Sequence, residues 1–162
     1  MTTIKTADQS NISLLYNLYH HMGKSDEGYF ENAFAQRTEI YIAFQDKDAC
    51  GFCLLNRTPR YSLYRKMNIP EIQDLNVVPE YQRRGVGRTL IKHCETVASH
   101  EGYEFIGISV GLTKDFGPAQ ILYTKLGYVP DGYGVTYDRH GVTKGEICRM
   151  DDDLALMLVK PL

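Results

Sequence analysis

The sequence has no tryptophan and no long hydrophobic run, and its charges nearly cancel. Eighteen Lys and Arg residues stand against twenty Asp and Glu residues, which makes a formal net charge of −2. A nucleic-acid-binding domain normally has a basic excess, so no nucleic-acid partner is expected. No segment approaches the roughly 18 apolar residues of a membrane span, and residues 1–5 precede no apolar signal segment. We therefore expect a cytoplasmic protein without a membrane partner.

Cysteine is scarce, and the four residues present are Cys50, Cys53, Cys94 and Cys148. Cys50 and Cys53 form a C-x-x-C pair, but no second pair follows at the distance of a zinc ribbon. Residues three apart on a strand point to opposite faces, so we expect the two thiols to diverge and to be buried. The five histidines have no metal-ligand spacing either. No metal site is predicted.

The chain alternates strands and helices without repeats or low-complexity segments, and its 162 residues suit a single domain over residues 1–162. Apolar spacing, Gly stops and capping side chains predict an α+β fold with a mixed sheet. Asp8 is predicted to cap the first helix and Asp115 the last. The predicted strands cover residues 2–6, 40–44, 51–56, 71–78, 105–110 and 154–159; the second and third should form an antiparallel hairpin, and the last should be buried on both faces. The predicted helices lie around residues 8–22 and 29–36, between the Gly-containing basic segment and Gly102, and around residues 115–126, where Pro118 is tolerated in the first turn.

Residues 49–70 contain no acidic residue, while Arg57, Arg60, Arg65 and Lys66 lie among Tyr61 and Tyr64. The commoner explanation of such a composition is a solvated connecting loop. A site for an acidic partner is the alternative.

The segment from Gln82 to Arg88 lies between a predicted strand and a predicted helix. Gly85 and Gly87 let the backbone approach a ligand closely, and the first amides of a helix carry a positive partial charge. Four basic residues and no acid lie between positions 81 and 92. This turn is therefore predicted to bind an anion.

Two common phosphate-binding motifs do not match this turn. The nucleoside-triphosphate loop requires a different glycine spacing followed by Lys and Ser or Thr, and the dinucleotide fingerprint would require Gly where Leu90 stands. A different pyrophosphate ligand is the better candidate.

At this turn the sequence resembles the GNAT superfamily of acetyltransferases. Gln82, Gly85 and Gly87 match its Q/R-x-x-G-x-G/A signature, and residues 75–81, LNVVPEY, are also similar to the family. A second match is the segment AQILYTKLGY at residues 119–128, similar to the family's A-x-x-L-Y-x-K-x-G-F helix end. The two motifs occur in the family's order.

The resemblance implies a mixed, mostly antiparallel sheet of about seven strands, flanked by about four helices. In that fold the parallel fourth and fifth strands splay apart to admit acetyl-CoA, the acetyl donor. It also implies which backbone segments hold the cofactor: Leu75, Asn76 and Val77 for the pantetheine arm, and Gln82, Arg83, Arg84, Gly85, Val86, Gly87 and Arg88 for the pyrophosphate. The family often has Asn where this chain has Phe116, which weakens one expected pantetheine contact.

For catalysis the resemblance implies that an amine attacks the thioester directly in a ternary complex. Tyr123 matches the family tyrosine near the sulfur and would protonate the thiolate, or else it is only a pocket wall. The Val77 N–H is the candidate oxyanion donor. Glu71 is favoured as the general base over Asp74, which strict strand alternation places on the opposite face unless a bulge intervenes. A solvated carboxylate is the alternative for both.

The substrate is predicted to be a primary amine on a small molecule, since Tyr123, Tyr128, Tyr133 and Tyr137 would line the acceptor side. Asp131, Asp138 and the acids at 151–153 could attract a cationic amine, or could form a solvated face. Two other functions stay open: an acyl-CoA-binding or partner-recognition module without turnover, and an enzyme that acetylates a protein or peptide amine. The sheet could also pair with a second subunit as a homodimer.

Overall fold

The structure is a computed structural model that describes all 162 residues, Met1–Leu162. The chain forms two compact units. The first consists of Met1–Asn56 and Ile72–Val97, and the second of Arg57–Glu71 and Ala98–Leu162. The prediction of one domain over residues 1–162 stays a prediction.

Eight strands and five α-helices follow one another along the chain. In chain order they are β1 (Thr2–Thr6), α1 (Ile12–His21), α2 (Tyr29–Ala35), β2 (Glu39–Gln45), β3 (Asp48–Asn56), α3 (Ser62–Lys66), β4 (Glu71–Val77), α4 (Val86–His100), β5 (Phe105–Gly111), α5 (Gly117–Lys125), β6 (Val129–Tyr137), β7 (His140–Gly141) and β8 (Leu154–Pro161). Short 3₁₀ helices at Gln9–Asn11, Pro79–Tyr81 and Lys114–Phe116 precede α1, α4 and α5.

In the first unit the strand order is β1-β2-β3-β4. The β2–β3 hairpin is antiparallel, as predicted, and turns at Asp46 and Lys47. Asp8 accepts a hydrogen bond from the Ser10 amide and caps the 3₁₀ turn that leads into α1, so its predicted role is confirmed. The core joins α1 and α2 to the sheet through Leu15, Phe30, Ile40 and Phe52, all fully buried.

Three of the four thiols are buried in this unit, as predicted, whereas Cys148 is exposed. Cys53 on β3 lies with its sulfur 3.6 Å from that of Cys94 on α4. Cys50 points elsewhere, toward the carbonyl of Ala43. The C-x-x-C thiols therefore diverge, because neighbouring odd and even positions of a strand face opposite sides.

In the second unit the strand order is β5-β8-β6-β7, and every pair is antiparallel. β8 is central and largely buried, as predicted from its apolar sequence. β6 and β7 were not predicted. Between Pro130 and Val135 five steps along β6 correspond to two steps along β8, so residues 131–134 bulge out of the ladder.

The segment around α3 corrects the prediction of a solvated loop. Tyr61 and Tyr64 are 6% and 0% exposed and form a core cluster with Ile69 and Met157. The Tyr64 hydroxyl donates to the Leu158 carbonyl, and burial raises its pKa above the ordinary value. The two aromatic side chains, and not the four basic ones, determine where this segment lies. Burial of the two rings is favourable, and the basic groups can stay in water at the same time.

Asp115 does not cap α5, contrary to the prediction. It lies inside the 3₁₀ turn Lys114–Phe116, and the residue at the N-cap of α5 is Phe116, which makes no capping hydrogen bond. Pro118 occupies the first turn of α5, as predicted, where its missing N–H costs no helical hydrogen bond. No helix of the structure is both long enough and apolar enough to cross a membrane.

Gly107 on β5 is required by a close approach to the buried Tyr64. A methyl group at position 107 would lie 2.4 Å from the Tyr64 ring, which has no free space to move into. We expect Gly107→Ala to lower the free energy of unfolding by about 1–3 kcal/mol, the usual cost of overpacking. Gly117→Ala is the control, because nothing lies within 4 Å of that position. Urea unfolding of both variants measures the difference, and equal stabilities would contradict the argument.

His93 on α4 makes stability depend on pH. Burial lowers its pKa, against a smaller opposing effect of Glu39, and its ring packs edge-on to Tyr41 at 4.6 Å. The unfolded chain therefore takes up a proton at higher pH than the folded one, and stability falls as pH drops below about 6.5. In His93→Phe we expect a shallower loss of unfolding free energy between pH 7.5 and 5. An unchanged slope would argue against this source of pH dependence.

Candidate functional site

The predicted anion-binding turn connects β4 to α4 in the first unit. After the 3₁₀ turn Pro79–Tyr81, residues 82–85 lead directly into α4. Arg83 and Gly85 adopt positive φ values of 62° and 84°. At Gly85 the backbone conformation favours glycine, and the space beside it is open.

The first amides of α4 precede its hydrogen-bond ladder. The first helical hydrogen bond of α4 runs from the Thr89 N–H to the Gly85 carbonyl, at 3.0 Å. The Thr89 hydroxyl donates to the same oxygen. The N–H groups of residues 86–88 lie before this bond and carry the positive end of the helix dipole. Such an end binds anionic groups.

Gln82 joins the turn to the end of the strand that precedes it. Its side-chain amide donates to the carbonyl of Val77 at 3.0 Å. A Cβ at Gly51 of β3 would lie 2.6 Å from the Asn76 carbonyl, so β3 and β4 approach each other closely at these residues. The structure thus brings the motif residue Gln82 next to Leu75–Val77, the predicted pantetheine segment.

Positive charge at the turn comes from three arginines, Arg83, Arg84 and Arg88. All three are exposed and have no carboxylate within 4 Å, and Arg84 lies over the ring of Tyr81. Lys92, the fourth basic residue of this stretch, pairs with Glu95 at 2.8 Å. The local charge available to a ligand is therefore smaller than the sequence count implied.

Asp74 on β4 has a φ of +48°, so strict alternation does not hold along this strand. This is the kind of irregularity that the prediction allowed for, and the placement of Asp74 and Glu71 on opposite faces stays a prediction. Asp74 is exposed, accepts a hydrogen bond from the Tyr29 hydroxyl, and its carbonyl accepts one from the Asn76 side chain at 2.8 Å.

Glu71, the first residue of β4, is fully buried in the second unit. Its Oε1 lies 2.9 Å from Nη2 of Arg139, whose side chain is 27% exposed. A buried carboxylate needs such a partner because its desolvation is costly. The preferred general-base candidate is thus an ion-paired residue.

Tyr123, the candidate acid, lies on α5 and is 5% exposed. Its ring packs against Tyr128, which is also buried, at 6.2 Å. The other two tyrosines of the predicted acceptor wall differ: Tyr133 is 71% exposed, and the Tyr137 hydroxyl donates to Asp151. Tyr123 and Tyr128 are therefore buried together, whereas Tyr133 and Tyr137 occupy other environments.

A cavity of about 270 Å³ lies between α3 and the β6–β7 hairpin of the second unit. Its lining is aromatic and hydroxyl-rich, and Lys66 is its one charged residue. The lining residues are Tyr61, Ser62, Leu63, Lys66, Tyr133, Thr136 and Gly141. Of the predicted acceptor tyrosines, Tyr133 is the one that contributes.

Three polar contacts join the β6–β7 region to residues 60–71. Tyr61 donates to Asp131 at 2.6 Å, Arg60 contacts Asp138 at 2.9 Å, and Arg139 contacts Glu71. Asp131 also accepts from the Tyr133 amide, which holds the β6 bulge in shape. Asp131, Asp138 and Asp151 thus each have a neighbouring side chain as a partner.

Sequence reasoning missed the contributions of α3 and the hairpin to this cavity. The signal was the acid-free segment 49–70 with its tyrosines, for which a binding site was the alternative explanation. No signal identified Arg139, because its role depends on a carboxylate 68 positions earlier in the chain. No group of three or more His, Cys, Asp or Glu side chains in the structure could hold a metal ion.

The acetyltransferase (GNAT) domain family matches residues 36–130 of the chain. This stretch includes both motifs and more than half of the sequence. The protein belongs to the GNAT acetyltransferase family, and the predicted class, an acetyl-CoA-dependent acyltransferase, is confirmed.

Relatives and solved structures agree with this assignment. An uncharacterized N-acetyltransferase of Chlorobaculum tepidum is 25% identical over 76% of this chain and 71% of its own length. The ribosomal-protein-S18-alanine N-acetyltransferase of Escherichia coli superposes with a TM-score of 0.73 at 19% identity, over 99% of this chain and 94% of that one.

A GNAT family acetyltransferase of Elizabethkingia anophelis, whose structure has acetyl-CoA bound, superposes with a TM-score of 0.71 at 18% identity. That match covers 99% of this chain and 98% of the other. The predicted GNAT-like α+β fold is therefore confirmed, with eight strands and five α-helices where about seven and about four were expected.

The anion-binding turn makes a measurable prediction. Replacing Arg88 in the first turn of α4 by Ala should weaken CoA binding about 3- to 10-fold, because an exposed charge-assisted contact to phosphate is lost. The effect should shrink at high salt. Arg65→Ala, which removes the same charge from an exposed position of α3, is the control. Calorimetric titration with CoA that gives equal affinities for both variants would contradict the assignment.

Proposed function

We propose that the protein transfers an acetyl group from acetyl-CoA to a primary amine of a small molecule, in a ternary complex. The observation that carries this proposal is the turn at residues 82–88. It combines the positive φ of Gly85, the amides ahead of the Thr89 bond and three unpaired arginines. These features suit a pyrophosphate, since backbone amides and guanidinium groups bind phosphate oxygens.

Acetyl-CoA supplies the acetyl group as a thioester, so attack by a neutral amine forms the C–N bond and breaks the C–S bond. The backbone of Leu75, Asn76 and Val77 is proposed to bind the pantetheine arm. The residues proposed to bind the pyrophosphate are Gln82, Arg83, Arg84, Gly85, Val86, Gly87 and Arg88. The Val77 N–H would stabilise the developing oxyanion, a role that fixed backbone donors fill well.

Protons must leave the amine and reach the departing thiolate. Tyr123 is the proposed acid, because a phenol is ordinarily protonated at neutral pH and this residue matches the family tyrosine. Asp74 is the proposed base. Proton uptake by Asp74 would disturb one hydrogen bond from Tyr29, whereas proton uptake by Glu71 would break its buried ion pair with Arg139.

The acceptor is proposed to bind in the cavity between α3 and the β6–β7 hairpin. Its volume of about 270 Å³ is near the lower end for small-molecule sites, which favours a small acceptor over a folded protein. Tyr61 and Tyr133 supply apolar surface, and Ser62, Thr136 and the tyrosine hydroxyls supply hydrogen-bonding groups.

The first experiment uses the wild-type protein. CoA at 100 times its dissociation constant should stabilise it by about 2.7 kcal/mol, which a thermal shift detects. Incubation with acetyl-CoA and a panel of small primary amines should then release thiol and form acetylated product. CoA binding without turnover on small amines or peptides would instead favour a binding module, and turnover on peptides alone would favour a peptide amine substrate.

Tyr123→Phe tests the proposed acid. Removing the hydroxyl should lower kcat about 10²-fold, the lower end of the range for general acid catalysis, with little change in CoA affinity. Tyr103→Phe is the control, a half-buried tyrosine outside the proposed sites. Steady-state kinetics of the two variants decide the matter, since an unchanged kcat in Tyr123→Phe would leave Tyr123 as a pocket wall.

The cytoplasmic location, the lack of a nucleic-acid partner and a homodimer stay predictions. Gel filtration with light scattering would measure the oligomeric state directly.

A further inference from the structure

We infer that Glu71 and Arg139 are positioning residues that hold the β6–β7 hairpin in place as one wall of the acceptor cavity. This inference rests on the proposed function, since it concerns the site where the amine would bind. It gives Glu71 a role other than that of the general base.

The hairpin turn has an unfavourable backbone conformation. Tyr137 pairs with His140, so Asp138 and Arg139 alone form the turn. Both have positive φ, 45° and 64°. Two consecutive positive φ values are typical of a type I′ turn, where Asn and Gly are preferred and a long side chain such as Arg is disfavoured. The surrounding structure must therefore stabilise this conformation.

The contact that best meets this need is the ion pair between Arg139 and Glu71. Its 2.9 Å separation joins a guanidinium that is 27% exposed to a carboxylate that is 0% exposed. The neighbouring Arg60–Asp138 pair is 63% and 50% exposed, so water screens it much more. Of these two ion pairs, the buried one constrains the hairpin more strongly, and it acts beside a backbone hydrogen bond from the Asp138 N–H to the Asp153 carbonyl at 3.0 Å.

The position of the hairpin decides the shape of the cavity. Thr136 of β6 and Gly141 of β7 line it on one side, while Ser62 and Leu63 of α3 line the opposite side. Glu71 and Arg139 are not among the lining residues. Because Glu71 has no exposed surface and does not line the cavity, it cannot touch an acceptor there directly, and its ion pair with Arg139 connects it to the hairpin that does.

Removing either charge should therefore affect acceptor binding more than chemistry. We expect Glu71→Gln and Arg139→Gln each to raise KM for the amine about 10-fold while kcat changes less than about 3-fold. This is the pattern when a lost interaction had stabilised the bound substrate and the transition state equally. The double variant should be no worse than either single variant, because both remove the same contact. Arg139→Lys should recover part of the affinity, and Arg60→Gln should have a smaller effect than Arg139→Gln.

The pH dependence of kcat separates positioning from base catalysis. A positioning role leaves the limbs of the profile in place in Glu71→Gln. If Glu71 accepted the proton, Glu71→Gln would lower kcat by about 10² or more and abolish one limb, while Arg139→Gln would not. That result would overturn the inference.

Hydrogen exchange supplies a readout that does not need turnover. Amides of residues 135–142 should exchange faster in Glu71→Gln and Arg139→Gln than in the wild type, while those of β2 should not change. If the wild type has no activity, the proposed function fails, and the exchange data still decide whether the pair holds the hairpin. Unchanged exchange in both variants would overturn the inference.

A second variant covers the case in which a single substitution prevents folding. Replacing both partners, Glu71→Met with Arg139→Met, removes the buried charges together and retains side-chain volume, a change that proteins often tolerate. We expect this variant to keep kcat within about 10-fold of the wild type with a raised KM. Complete loss of kcat in a folded double variant would favour Glu71 as the base.

Discussion

The burial of one negative charge is the constraint on which the proposed placement of the β6–β7 hairpin depends. Glu71 loses all contact with water, and the cost of that burial is offset by Arg139, which reaches it from the far end of a hairpin. That requirement explains why an arginine occupies a turn position that favours glycine or asparagine. The same hairpin provides one side of the cavity where the acceptor is proposed to bind.

Residues with proposed roles occur in both units. The first contains the turn into α4, whose amides and arginines suit a pyrophosphate. The second contains Tyr123 and the cavity beside α3. Membership of the GNAT family accounts for the first feature, because the turn is the family's signature. The cavity is lined by residues outside the two motifs, and residues of this kind can set different substrate preferences in proteins of the same fold.

The sequence predicted those parts of the fold that depend on interactions between residues close together in the chain. The Asp8 cap, the β2–β3 hairpin and the apolar strand β8 followed from capping chemistry, turn residues and hydrophobic pattern. The strand β6 could not be predicted in the same way, because its ladder is interrupted by the bulge at residues 131–134 and its Gly and Tyr content resembles a loop. Asp115 failed as a cap because the chain forms a 3₁₀ turn there before α5 begins.

The same distinction between short-range and long-range interactions applies to the candidate site. The geometry of the turn at residues 82–88 was predictable because its residues are contiguous and its glycines and amides act locally. The interactions of Glu71, the burial of Tyr61 and Tyr64 and the lining of the cavity could not be predicted, because each depends on partners tens of residues away.

By itself, then, the sequence determined the family, the turn at residues 82–88 and most of the strands and helices. Only the tertiary structure decided which carboxylate is ion-paired and which side chains surround the acceptor cavity. The reason is physical. Capping, turn geometry and amphipathic spacing are properties of residues that are neighbours in the sequence, whereas desolvation and ion pairing depend on distant residues that become neighbours when the chain folds.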